Sequence, residues 1–179
     1  AVKAIPALLE QLAILDDGRR IDDLIMLEYP IVFHHIGPPA ITALSEFLWD
    51  EQKPSFPRVC TGDCLAHIGA HHPQVRQTCI DALTQQLQQH RQKDAELYGF
   101  IICSLVQMDA VEALPAIEAV FQADCVDKSL TGDYADVKAM LEARDNQTTP
   151  QPKAGQQTAP IHRTGQKIGR NDPCPCGSG

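Results

Sequence analysis

The segment Ala-Ile-Pro-Ala-Leu at residues 4–8 decides the fold, because related segments recur along the chain. The copies Ala-Ile-Thr-Ala-Leu, Cys-Ile-Asp-Ala-Leu and Ala-Leu-Pro-Ala-Ile begin at Ala40, Cys79 and Ala113. Their starts are separated by 36, 39 and 34 residues, a spacing typical of helix-pair repeats. The period therefore predicts an all-α protein, with an α-solenoid of three to four helix pairs over residues 1–145.

A second helical segment is expected before each later copy. These segments are predicted to end at Gly37, Gly69 and Asp109. Glycine readily adopts the left-handed conformation that closes a helix, and a nearby proline favours the start of the next one. Each unit is therefore predicted to consist of a helix, a short turn and a helix.

These units resemble the HEAT-like repeats of bacterial helical-repeat proteins, including those of the phycobilisome-lyase type. The resemblance covers roughly residues 1–145 and implies a stacked array that presents a surface to a protein partner. It also leaves open a function of another class, namely a lyase or chaperone for a bound pigment or cofactor.

Charge is distributed unevenly between the two parts of the chain. Residues 1–145 hold 11 of the 15 Lys and Arg and 22 of the 23 Asp and Glu, whereas residues 146–179 hold four basic residues and one acidic residue. An acidic body is not suited to neutralising phosphates, so no nucleic-acid partner is expected.

The sequence has no apolar run long enough to span a membrane. Its seven cysteines are expected to be reduced thiols in a cytoplasmic protein.

Residues 146–163 are rich in Pro and Gln and predict a flexible linker. The remaining residues, 164–179, end in Gly-Arg-Asn-Asp-Pro-Cys-Pro-Cys-Gly-Ser-Gly. Cys174 and Cys176 are two positions apart, so in an extended segment both sulfurs lie on one side. The flanking prolines restrict this backbone. The spacing predicts that both cysteines bind one metal ion.

The last eleven residues resemble the opening of the SEC-C motif, the zinc-binding module at the end of the SecA translocation ATPase. The resemblance implies that Cys174 and Cys176 bind Zn²⁺ together with a later Cys-Cys or Cys-His pair. Structural zinc takes four ligands, so the chain supplies half of the site, and we expect the natural sequence to continue past Gly179. By analogy, a secretion-linked or ribosome-linked partner is expected.

A second series of metal-ligand residues occurs within the repeats. Cys60, Cys64, His67 and His71 are spaced along one predicted helical segment. Over that span a helix rises roughly 16 Å, so the four side chains cannot bind one ion. The segment is expected to begin with Cys60 in a turn and to end near Ile68.

Other cysteines and the large aromatic residues are assigned to the core. Cys64, Cys79 and Cys103 fall on apolar stripes, where a small buried thiol is the favoured role. Trp49 and Tyr98 are interpreted as core residues in preference to anchors on a partner surface.

Two histidine pairs, His34-His35 and His71-His72, occupy matching turns of successive repeats. They could bind a metal or an anion. The favoured interpretation is that they are solvated or cap helix C-termini, where a cationic ring is stabilised.

No motif of an enzyme class is found. The chain lacks the phosphate-binding, dinucleotide-binding, nucleophile-elbow and zinc-protease patterns, so no catalytic residue is assigned. The leading hypothesis is a zinc-binding adaptor, in which the repeat surface binds a protein partner and the tethered SEC-C module adds a second contact.

Overall fold

The described part of the chain is built from short helices joined by tight turns. The computed structural model describes residues 2–14, 21–89 and 94–148. The α-helices there are α1 (Ile5–Ala13), α2 (Ile21–Ile36), α3 (Ile41–Trp49), α4 (Ser55–His71), α5 (Arg76–Gln88), α6 (Ala95–Gln107), α7 (Leu114–Gln122), α8 (Lys128–Thr131) and α9 (Tyr134–Thr148). These ranges contain no strand, which confirms the prediction of an all-α fold.

Each repeat begins with a 3₁₀ turn that runs directly into an α-helix. The turns are Val2–Ala4, Pro38–Ala40, Pro73–Val75 and Val111–Ala113. The last three are closed by equivalent backbone hydrogen bonds, in which the amides of Ala40, Val75 and Ala113 donate to the carbonyls of Gly37, His72 and Ala110 at 3.0, 2.9 and 3.0 Å. The following helices start 36, 35 and 38 residues apart. The structural period is thus more regular than the sequence copies, because the copy at Cys79 lies within α5 rather than at its start.

The helices are arranged in two layers. In one layer α1 contacts α3, α3 contacts α5, α5 contacts α7, and α7 contacts α9. In the other, α4 lies between α2 and α6, and α6 contacts α8. Helix α4 also packs against α3 and α5 of the first layer. This pattern arises when each helix pair buries its apolar side against the next pair.

One core cluster runs through the described helices. Its members are mainly aliphatic, as the low aromatic content requires, and Leu44, Leu65 and Ile102 are fully buried. Tyr98 is only 1% exposed, so its assignment to the core is confirmed. Trp49 is half-buried, packs against the core and donates its indole N–H to the Ala82 carbonyl at 3.0 Å.

The predicted helix ends are correct at two positions and wrong at a third. Gly37 has φ +73° and Asp109 has φ +53°, so both provide the left-handed residue after a helix. Gly69 instead lies inside α4, which continues to His71. A Cβ atom at Gly69 would lie 2.6 Å from the Met108 sulfur. The glycine is required for close helix packing rather than for helix termination.

Two arginines bind the carboxyl ends of neighbouring helices. Arg58 in α4 is 2% exposed and donates from Nε to the Leu48 carbonyl in α3 at 2.8 Å. Arg76 in α5 donates from Nη2 to the Met108 carbonyl after α6 at 2.9 Å and forms a 2.7 Å ion pair with Glu112. Each guanidinium satisfies a carbonyl that has no partner within its own helix, and so links two helices that follow one another in the chain.

The helical part extends slightly beyond the expected boundary at residue 145. Helix α9 continues to Thr148, so residues 146–148, expected in the linker, are helical. The described helices all belong to one compact unit, Ala1–Thr149. No described helix combines the length and apolar character needed to cross a bilayer.

Candidate functional site

The predicted zinc ligands, Cys174 and Cys176, lie outside the described residues, as does the whole of the motif at 164–179. Within the residues that are described, no group of three or more His, Cys, Asp or Glu side chains is arranged to hold a metal ion. The assignment of zinc to Cys174 and Cys176 therefore stays a prediction.

The structure brings five histidines together where α2 and α4 end side by side. This histidine cluster consists of His34, His35, His67, His71 and His72. The ring of His34 lies at its centre, with ring centroids 4.3 Å from His71, 4.9 Å from His35 and 5.4 Å from His72. The two pairs at matching turns thus form one cluster, to which α4 adds His67, with its ring centroid 6.0 Å from that of His71.

Backbone carbonyls hold two of these rings. His71 Nδ1 lies 2.8 Å from the His67 carbonyl, and His72 Nε2 lies 3.1 Å from the His34 carbonyl. Since a carbonyl only accepts, each of these nitrogens donates its proton, and the opposite nitrogen of a neutral ring carries a lone pair. Gly37 makes room for the ring of His72, because a Cβ atom at Gly37 would lie 3.2 Å from that ring.

The central histidine is not solvated as expected. His34 Nδ1 is buried and has no hydrogen-bond partner. Burial, reinforced by repulsion from the other four histidines, lowers the pKa of His34, so its ring is neutral at neutral pH. The capping interpretation fits His71, whose ring bonds a carbonyl in the last turn of α4, but it does not describe His34.

A small cleft lies between α4 and α6. Its volume is about 200 Å³, and it is lined by Val59, Asp63, Phe100, Cys103, Ser104 and Gln107. Burial raises the pKa of Asp63, and the nearby His67 partly offsets this effect. Cys103 is exposed, so the prediction that it is a buried core thiol is wrong: α6 turns this side chain toward solvent.

The buried thiols of α4 and α5 belong to the core. Cys60 lies inside α4 and not in a turn as expected, and both it and Cys64 are fully buried. Burial and the neighbouring Cys60 raise the pKa of Cys64 well above its usual value. Burial raises the pKa of Cys79 to about 11. Cys64 and Cys79 are fully buried within the core cluster, which confirms their assignment as small core residues.

A search for similar proteins gives a partial match. A stretch of 68 residues, 38% of this chain, is 37% identical to the protein translocase subunit SecA of Cellvibrio japonicus (strain Ueda107). The matched stretch covers 7% of that protein, so the chain spans only a small part of the relative's length. No protein-family model matches the chain, and no solved structure is significantly similar to it.

Proposed function

We propose that this chain is a zinc-binding adaptor, in which a HEAT-like solenoid binds a polypeptide and the SEC-C-like segment binds Zn²⁺ through Cys174 and Cys176. The similarity to SecA over 68 residues carries the proposal, because residues 169–179 resemble the opening of the zinc-binding motif at the end of that ATPase. The relative is a protein translocase subunit, which favours a partner linked to protein secretion.

The proposed metal site follows from the chemistry of the two cysteines. Two thiolates on one side of a proline-restrained segment supply half of a tetrahedral sphere, and the other two ligands come from outside this pair. Arg170 and Lys167 lie close in sequence and would favour the thiolate form.

The proposed polypeptide surface lies on the layer that contains α2. Leu27, Ile31 and Val32 are 69%, 47% and 38% exposed. The spacing of four residues places Leu27 and Ile31 on one side of the helix, with Val32 about 100° further round it. Exposed apolar side chains in a row are suited to an apolar partner. Because the body of the chain is acidic, the partner is expected to carry basic residues around its apolar anchors.

Metal analysis tests the zinc site. In the chain as its gene encodes it, Cys174→Ser with Cys176→Ser should lower the zinc content by about one ion per molecule. Cys103→Ser, which changes an exposed thiol of α6, serves as the matched control and should leave the zinc content unchanged. A zinc content that the double variant leaves unchanged would contradict the assignment.

The polypeptide surface is tested by quantitative pull-down with Leu27→Asp and Ile31→Asp in one variant. Partners held by this surface should be depleted about tenfold, because a charge placed in an apolar contact is costly. Met140→Asp changes an exposed apolar residue of α9, 42% exposed, and should retain the same partners. Equal recovery by the two variants would rule out the α2 surface.

A further inference from the structure

The histidine cluster contains a buried polar atom that the protein itself does not satisfy. His34 Nδ1 has no partner, although it belongs to the ring at the centre of the cluster. Buried polar atoms without a partner are rare in folded proteins, and an ion or a water molecule is a common explanation. Imidazole nitrogens are good ligands for Zn²⁺, Ni²⁺, Cu²⁺ and Co²⁺.

The spacing of the rings fits a shared ion. Imidazole nitrogens bind zinc at about 2.0–2.1 Å, so the centres of two rings on one tetrahedral ion lie about 5 Å apart. The ring of His34 is 4.3 Å from that of His71 and 4.9 Å from that of His35. His67 is four residues before His71 in α4, the separation at which two histidines on one helix bind a common metal.

We propose that the histidine cluster is a second metal site, which binds one divalent transition-metal ion through His34 and His71, with a third ring from His35 or His67. The described rings do not already converge on one point, so the site closes by rotation of side chains. His35 is exposed, so its ring can rotate without movement of α2 or α4, whereas the hydrogen bond to the His67 carbonyl holds the ring of His71.

The hydrogen bond of His71 prepares this ring for metal binding. Its Nδ1–H donates to the His67 carbonyl at 2.8 Å, which leaves the Nε2 lone pair available when the ring is neutral. Metal-binding histidines commonly donate their other N–H to a carbonyl in this way. The site therefore differs in chemistry from the cysteine site at the end of the chain, because all its ligands are imidazoles.

The test uses the full chain with Cys174→Ser and Cys176→Ser, so that failure of the proposed cysteine site does not affect it. Co²⁺ is added at pH 7.5, and binding is followed by its visible absorption and by titration calorimetry. We expect about one ion per chain. His34→Asn and His71→Asn should each weaken binding at least about tenfold, whereas His90→Asn, a histidine far from the cluster in sequence, should not.

Two results would overturn the proposal: no saturable Co²⁺ binding at pH 7.5, or binding that His34→Asn and His71→Asn leave unchanged. His71 is exposed, so its replacement is not expected to disturb folding, and circular dichroism checks this for each variant. A weak affinity lowered equally by His90→Asn would indicate adventitious binding to histidines in general, and would also count against the site.

Discussion

At the residue scale, Gly69 shows how one missing side chain sets the distance between repeats. It lies in α4, and a Cβ there would meet the Met108 sulfur at 2.6 Å and the Cys79 Cβ at 3.1 Å. Met108 is 4% exposed and Cys79 is fully buried, so neither side chain has free space into which to move.

Gly69→Ala is therefore expected to lower the free energy of unfolding by about 1–3 kcal/mol, the usual effect of overpacking a core. Gly62→Ala in the same helix is the matched control. Its added Cβ would make ordinary contacts at 3.6 Å with Leu83 and 3.9 Å with Ile101, so stability should stay constant or rise by up to about 1 kcal/mol. Denaturant unfolding measures both, and equal effects would contradict the packing role of Gly69.

A second residue-scale prediction concerns His34 and pH. Its pKa is lowered in the folded chain by burial and by the neighbouring His71, His35, His72 and His67. The unfolded chain consequently binds a proton at this residue more readily than the folded chain does. This difference in pKa stabilises the folded chain fully at pH values above the unfolded pKa of about 6.5, and the stabilisation is lost as the pH falls below that pKa.

Wild type and His34→Asn should therefore differ in the pH dependence of unfolding when metal is removed with a chelator. Between about pH 7.5 and 5.5 the wild type should lose more stability than the variant. Parallel curves from denaturant unfolding would show that protonation of His34 is not linked to folding.

At the element scale, Arg76 joins the start of α5 to the end of α6, the next α-helix along the chain. Its guanidinium binds the Met108 carbonyl after α6 and pairs with Glu112. Arg76→Met keeps the aliphatic contacts but removes these bonds, so the free energy of unfolding should fall by about 2 kcal/mol.

Lys138→Met provides the comparison for this effect. Lys138 forms an exposed pair with Glu142 at 3.8 Å within α9, and its replacement should change stability by less than about 0.5 kcal/mol. A similar loss in both variants would mean that the link between helices contributes nothing beyond a surface ion pair.

The helices themselves were largely predictable from the sequence, since the period and the prolines indicate where each repeat begins. The length of α4 was not predictable, because a glycine such as Gly69 usually indicates a helix end. Here Gly69 allows close packing against a neighbouring helix, which the sequence alone does not show. The same error hid the histidine cluster: His71 meets His34 only because α4 continues past Gly69. Cys103 was misjudged because α6 is apolar on almost every side, and periodicity alone does not show which side faces solvent.

At the scale of the whole molecule, the two layers imply unequal local stability. Helix α4 packs against α2, α3, α5 and α6, whereas α1 makes its main contacts with α3. Opening of a helix requires the loss of its contacts, so helices with more neighbours open less often.

Hydrogen exchange should accordingly be slowest in α4 and faster in α1. The expected difference in protection is at least about tenfold, corresponding to roughly 1.4 kcal/mol of local opening free energy. Mass-spectrometric or NMR exchange measures it under native conditions. Equal protection in α1 and α4 would mean that the described helices open together as one unit.

The position of Trp49 has a practical consequence, since the chain has one tryptophan. Its indole bridges α3 and α5 through the Ala82 carbonyl. Intrinsic fluorescence excited at this indole therefore reports on the seam between two successive repeats, without any added dye. Emission should shift to the red when that seam separates, even while the circular dichroism of the helices is retained.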